Sequence, residues 1–124
     1  MAATPITIDP ITSVGTTEQR LKDKANPGSD GIAVAANEEI VISCSVGPHS
    51  TDSIFVKLYR SAQVSGVTKW FEVPARSFEI EPGDEDEHEI FWGVGGGPFD
   101  IGVYASGSTD TPTVTFTAKK DAVN

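Results

Sequence analysis

The chain has 124 residues, with 18 acidic and nine basic side chains and a net charge of −9. It is therefore long enough for one domain, and its charge repels the phosphates of nucleic acids and of anionic membranes. Its single cysteine, Cys44, excludes an internal disulfide and favours synthesis in a reducing compartment. The N-terminus lacks the basic and apolar regions of a secretion signal, and no apolar run is long enough to span a bilayer. We expect a protein made in the cytoplasm without a signal peptide.

Residues 1–31 are rich in Thr, Pro, Gly, Ser and Asp and end in the breaker run NPGSDG. The run TTEQRLKDK could form a helical turn, but Leu21 is its only apolar residue and it has no face to bury. We interpret residues 1–31 as an extended arm, either disordered or added as a strand to a neighbouring subunit. The candidate arm contacts are Ile6, Ile8, Ile11 and Val14.

From residue 32 to 120, apolar residues alternate with polar ones at a period of two, which is typical of strands that bury one face. The predicted strands are IAVAA, IVISCSV, IFVKLYRSA, VTKWFEVPA, SFEIEPGD, HEIFWGV, FDIGVYAS and TVTFTAKK, with a hairpin turn at QVSG and a tail at 121–124. About eight short strands with Gly, Pro, Asn and Asp between them predict an all-β fold, an antiparallel sandwich or barrel.

The segment DIGVYAS, Asp100 to Ser106, is similar to the D-x-G-x-Y-x-C signature of strand F in immunoglobulin domains, with Ser106 in place of the cysteine. With the strand count, it gives the chain a resemblance to an immunoglobulin-like β-sandwich. The resemblance implies strands A to G in sequence order, but Leu58 stands where strand C is expected to carry a tryptophan. The resemblance therefore concerns the fold class, and a jelly-roll arrangement of the same strands is left open.

Packing energy decides which face of the DIGVYAS strand points into the core. A tyrosine corner would direct Tyr104 inward, whereas the alternation directs four apolar residues inward instead. Four buried side chains at about 1.5–3 kcal/mol each outweigh one tyrosine hydrogen bond of about 1 kcal/mol. The four residues are Phe99, Ile101, Val103 and Ala105.

This register predicts an aromatic face on the sheet that strands C, C′ and F share in the immunoglobulin arrangement. Its outward side chains are Phe55, Tyr59, Trp70 and Tyr104. A cluster of this kind marks an interface. The immunoglobulin resemblance implies pairing through this sheet. The alternative is that a loop, the arm or a bend in the register of the same chain covers these rings.

The stretch EPGDEDEHE, residues 81–89, carries six carboxylates and a histidine. Calcium prefers oxygen ligands on a loop with a glycine, and the candidate ligands are Glu81, Asp84 and Asp86. The D-x-[DN]-x-[DN]-G pattern is absent, so we favour a solvated turn between two strands, with calcium the one cofactor left open. His49, His88 and a carboxylate are the minimal ligand set for a zinc site, but their pattern is not specific for zinc.

The sequence has no pattern that predicts catalysis. No G-x-S-x-G elbow is present, and GVGGGP lacks the Lys-Ser/Thr of a phosphate loop. Cys44 shares the apolar face of its strand with Ile40 and Ile42, which predicts a buried thiol. We expect a protein that is not an enzyme.

A small, acidic, disulfide-free sandwich with an extended N-terminal arm resembles the accessory virion proteins of tailed phages, such as capsid decoration proteins and head or tail components. The resemblance implies a structural protein that docks onto subunits of a viral shell or tail through its arm and aromatic face. It also implies incorporation in a virion. A homo-oligomer is left open, and the net charge of −9 argues against nucleic acid or a membrane as partner. The alternative is a carbohydrate-binding or adhesion module that uses Tyr59, Trp70 and calcium.

Overall fold

The computed structural model describes residues 4–123, which fold into two packed antiparallel sheets. The first sheet has the order β1-β9-β3-β7, and the second has the order β2-β8-β4-β5 with β6 also paired to β4. Within these residues no helix has the length and apolar character to cross a membrane. The strands are β1 Thr4–Ile6, β2 Gln19–Arg20, β3 Glu38–Val46, β4 Ile54–Val64, β5 Val67–Glu72, β6 Phe78–Ile80, β7 His88–Val94, β8 Phe99–Ala105 and β9 Val114–Ala122, with single 3-10 turns at Leu21–Asp23 and Pro74–Arg76. The all-β sandwich predicted from the sequence is confirmed.

The core lies between the sheets and is filled by the alternating apolar residues. In β4 every second residue is buried from Ile54 to Leu58, and each of these pairs with a buried residue of β8. Phe99, Ile101, Val103 and Ala105 are all buried, while Tyr104 lies half-buried on the outer side. The alternation therefore predicts the register of β8 correctly.

The last strand decides the topology of the sandwich. In immunoglobulin sandwiches the last strand lies in the sheet of strands C and F, which correspond here to β4 and β8. In this protein β9 lies in the opposite sheet, paired with β3 from Glu38↔Ala122 to Val46↔Val114. Since β5 and β6 follow each other along one side of β4, they count as one interrupted strand. The sheets then have the strand orders 1-8-3-6 and 2-7-4-5, which is the jelly-roll arrangement that the sequence left open.

The N-terminal segment, residues 4–31, is extended but belongs to the sandwich. Its strands β1 and β2 pair with β9 and β8. Ile11, Val14 and Leu21 are fully buried in the core, and Ile11 exchanges both backbone hydrogen bonds with Val114, at 3.0 and 2.8 Å. The arm predicted to be separate, with a boundary at residue 31, is therefore corrected: these side chains complete the core that the other strands leave open.

Three smaller corrections concern the same predicted boundaries. Ile6 and Ile8, predicted as arm contacts, are partly buried against the core of this chain. The predicted strand IAVAA is reduced to one bridge between Ile32 and Phe99. The predicted tail at 121–124 is too long, because β9 continues to Ala122.

Two carboxylates tie together the loops at one end of the sandwich. Asp52 is buried and its Oδ2 accepts the amides of Thr109 and Asp110, both at 2.9 Å. Asp110 Oδ2 in turn accepts the amides of Asp52 and Thr51, at 2.7 and 2.8 Å. These two amides hold the pKa of Asp110 below the ordinary value of 3.8.

Asp110 is expected to contribute to the loss of stability in acid. Because its pKa is lower in the folded state, its stabilising effect is complete above the ordinary value of 3.8 and is lost as the pH falls through the folded-state pKa. The melting temperature of Asp110→Asn should therefore fall less than that of the unmodified chain between about pH 5 and pH 3. Asp30→Asn, which changes an exposed carboxylate, is the matched control. Equal slopes for all three proteins would contradict this role of Asp110.

Candidate interaction site

An ionic and aromatic cluster fastens the N-terminal segment to the outer face of the second sheet. The Tyr59 hydroxyl donates to Glu18, with its two carboxylate oxygens at 2.9 and 2.8 Å. The Arg20 guanidinium lies 3.5 Å from the centroid of the Tyr59 ring, and its Nε donates to Asp100 at 2.7 Å. Asp100 also accepts the amide of Lys22 at 2.8 Å. The cluster therefore joins β2, β4 and β8 and covers Tyr59 with residues of the same chain.

Burial governs the protonation of this cluster. Asp100 is fully buried, and burial raises its pKa against the opposing effects of Arg20 and of the Lys22 amide. Burial, followed by the hydrogen bond to Glu18, raises the pKa of Tyr59 as well. Both groups are therefore placed to hold the N-terminal segment against the second sheet.

The four aromatic residues predicted for the sheet face all lie on the outer side of the second sheet, and all are half-buried. Phe55 and Tyr104 stack with their ring centroids 4.9 Å apart, and the Lys57 ammonium lies 5.3 Å from the Tyr104 centroid. Trp70 lies against Gly31, where a Cβ atom would come within 2.8 Å of its ring. Cover by the same chain, the alternative left open, is thus observed at Tyr59 and Trp70. A partner contact at Phe55 and Tyr104 stays a prediction.

The acidic turn, residues 81–87, is built from its own hydrogen bonds. The Asp84 amide donates to the Glu81 carbonyl at 3.1 Å, and Gly83 adopts a φ of +84° that completes the turn. Asp84 Oδ1 accepts the Asp86 amide at 3.0 Å, and Oδ2 lies 3.0 Å from His88 Nε2. The Asp86 amide and His88 lower the pKa of Asp84. The turn favoured from the sequence is present.

The two histidines lie in different settings, which separates the pair considered for zinc. His49 is buried, with its ring nitrogens 2.8 and 3.0 Å from the carbonyls of Gly47 and Glu81, so it links the acidic turn to the loop before β4. His88 pairs with Asp84. Between residues 4 and 123, no three or more His, Cys, Asp or Glu side chains converge as metal ligands do. Cys44 is buried as predicted, and burial raises its pKa to about 12.

One exposed apolar region lies on the hairpin, which we define as residues 60–72 of β4 and β5. Its turn has positive φ at Ser65 and Gly66, 52° and 78°, which suits the right-handed twist of the two strands. The hairpin continues beyond the region that the first sheet covers, so residues on the core side of the strands become accessible. Phe71 is 48 % exposed, and Val64 and Val67 are also exposed.

A second exposed apolar region lies on β7, which is the edge strand of the first sheet. A bulge at this strand buries both Ile90 and Phe91, and it thereby directs Trp92 and Val94 outward. Trp92 is 55 % exposed and Val94 is 57 % exposed. Strict alternation places Ile90, Trp92 and Val94 on one face, which is why the sequence did not indicate this surface.

The arginine groove lies between β7 and the connection from β5 to β6, and it has a volume of about 280 Å³. Its apolar lining is formed by Leu58, Val73, Phe91 and Phe99, and Arg60 and Arg76 lie on its walls. The Arg76 guanidinium lies 5.8 Å from the centroid of the Phe91 ring. In residues 4–123 neither arginine forms an ion pair, whereas Arg20 forms two. The groove therefore offers two free guanidinium groups for a carboxylate beside an apolar floor.

Searches against protein families, curated proteins and solved structures each found no significant match to this chain.

Proposed function

We propose that this protein is a non-enzymatic structural protein that binds other protein subunits, and that these subunits belong to a viral shell or tail. The observation that carries the proposal is the hairpin, which projects Val64, Val67 and Phe71 into solvent. Apolar side chains grouped in this way on an otherwise charged protein are typical of protein interfaces. The jelly-roll order supports the viral assignment by analogy only, because capsid proteins and lectins share it.

The docking region in this proposal differs from the one expected from the sequence. Ile11 and Val14, expected to contact a partner, are buried in the core of this chain instead. The hairpin takes the place of the arm, and the stacked pair Phe55 and Tyr104 with Lys57 is retained as a secondary contact. The net charge of −9 directs the protein toward a basic partner surface.

Phe71 is expected to be the main contact of the hairpin, because large aromatic side chains dominate the energy of interfaces. A photo-crosslinking amino acid at position 71 should recover a shell or tail component, whereas the same group at the exposed Thr115 should not. Phe71→Asp should weaken binding to that purified component by at least about tenfold, and Thr115→Asp should leave it unchanged. Equal recovery from both positions, or full affinity of Phe71→Asp, would contradict the proposal.

A carbohydrate-binding module is the second candidate, and one observation favours it. Trp92 is exposed beside two free arginines at the groove, an arrangement that suits stacking on an acidic sugar. Tyr59 and Trp70, expected in that role, are covered by the same chain. Retention on immobilised acidic glycans that Trp92→Ala abolishes would favour this function over subunit binding.

A further inference from the structure

The edge strand β7 has one side whose backbone groups pair with no other strand of its sheet. As the last strand of its sheet, β7 pairs with β3 on one side, and its other side directs backbone amides and carbonyls away from the sheet. Natural proteins protect such edges with charges, prolines or covering loops, because an exposed edge pairs with other strands. Here the exposed Trp92 and Val94 lie on the strand itself. The bulge at Ile90 and the exposed Glu89 protect the first half of β7, so the second half, from Phe91 to Val94, carries the features of a strand that is paired in the assembled protein.

The two ends of this edge strand carry charges of opposite sign. The acidic turn directly precedes His88, the first residue of β7, and exposes Glu85 and Asp86. The arginine groove is lined by Gly93, Val94 and Gly95 at the other end of β7, together with the unpaired Arg60 and Arg76. Carboxylates and free guanidinium groups thus lie at opposite ends of one edge strand.

Antiparallel pairing of β7 with a second β7 places the start of each strand beside the end of the other. A two-fold axis then sets the acidic turn of one copy against the arginine groove of its partner, and it does so twice. Such a self-complementary patch is what a two-fold symmetric interface requires, since the same surface serves both subunits. An unrelated partner would need to match both charge clusters and the strand edge at once.

We propose that two copies of this chain form a symmetric dimer through antiparallel β7–β7 pairing, with Arg60 and Arg76 of each copy binding Glu85 and Asp86 of the other. The four-stranded first sheets join into one continuous sheet across the dimer. The dimer contact includes Arg60, the first residue of the hairpin, but not Val64, Val67 or Phe71, which carry the proposed function. Different substitutions therefore test the dimer and the proposed function.

The test is the solution mass, by light scattering after size exclusion, of two charge-reversed variants alone and mixed. The unmodified chain should have twice the monomer mass of 13.1 kDa. Arg60→Glu/Arg76→Glu and Glu85→Arg/Asp86→Arg should each be monomeric, because like charges face each other at both contacts. Their equimolar mixture should be dimeric, because every contact then joins opposite charges.

The matched control for Arg60→Glu/Arg76→Glu is Lys69→Glu/Lys119→Glu. It makes the same change in net charge at exposed positions outside the groove, and it should stay dimeric. Thermal unfolding of each variant checks that it is folded, and hydrogen exchange checks where the copies meet. In the dimer, β7 amides should exchange more slowly at high than at low protein concentration. A monomeric unmodified chain, a mixture that stays monomeric, or a dimer whose β7 amides show no such protection would overturn the proposal.

Discussion

A chain that begins at Gly31 is expected not to fold, because the core loses side chains that nothing else replaces. Ile11, Val14 and Leu21 are fully buried, and burial of each contributes about 1.5–3 kcal/mol. The deletion also removes Arg20, which leaves the buried Asp100 carboxylate without its cation, at a cost of about 3–5 kcal/mol. These losses together reach the total stability of an ordinary domain, about 5–15 kcal/mol.

Point substitutions keep this prediction testable if the shortened chain cannot be purified. Leu21→Ala in the full chain should lower the free energy of unfolding by about 2–5 kcal/mol in a urea titration, as for other buried leucines. Thr12→Ala, in the same segment but exposed, should change it by less than about 0.5 kcal/mol. A chain from Gly31 that unfolds cooperatively near the melting temperature of the full protein would restore the separate arm.

Replacement of Asp100 by alanine is expected to destabilise the protein by about 3–5 kcal/mol, because two interior hydrogen bonds to its carboxylate are lost at about 1.5–3 kcal/mol each. The Arg20 guanidinium and the Lys22 amide would both lose the carboxylate that they bind at 2.7 and 2.8 Å. Arg20→Ala should have a cost of similar size, since it leaves the fully buried carboxylate with backbone hydrogen bonds but without its cation.

The two substitutions together should cost less than the sum of the single effects, because the double variant leaves no buried charge unpaired. Lys57→Ala provides the control. Lys57 forms a half-exposed ion pair with Glu72 at 3.6 Å on the same sheet, and its loss should cost no more than about 1 kcal/mol. Additive effects of Arg20→Ala and Asp100→Ala would show that the two side chains contribute separately.

The sequence predicted the faces of β3, β4 and β8 because local alternation decides which side chains are buried. It could not predict whether β9 joins β3 or β8, since pairing of distant strands leaves no local pattern. It also undervalued Leu21, which lies alone among polar residues and yet fills the core through a single 3-10 turn.

The candidate interaction site was predicted less well than the fold. One bulge at Ile90 reverses the faces of Trp92 and Val94, and an extra residue of this kind has no marker in the alternation. Arg60 and Arg76 meet at one groove only because β5 and β6 follow each other along β4. The aromatic face was placed on the correct side of its sheet, but the segment that covers Tyr59 lies 39 or more residues earlier in the chain.

The central claim is that the N-terminal segment is part of the sandwich, so that partners bind at the hairpin and at β7 instead. Backbone hydrogen exchange of the full chain tests this claim most directly. The Ile11 amide donates to Val114, and the Val14 amide donates to Pro112, both at 3.0 Å. We expect these two amides to be protected to the same degree as those at the centre of β9. Exchange at the rate of an unfolded chain would instead leave this segment free to contact a partner.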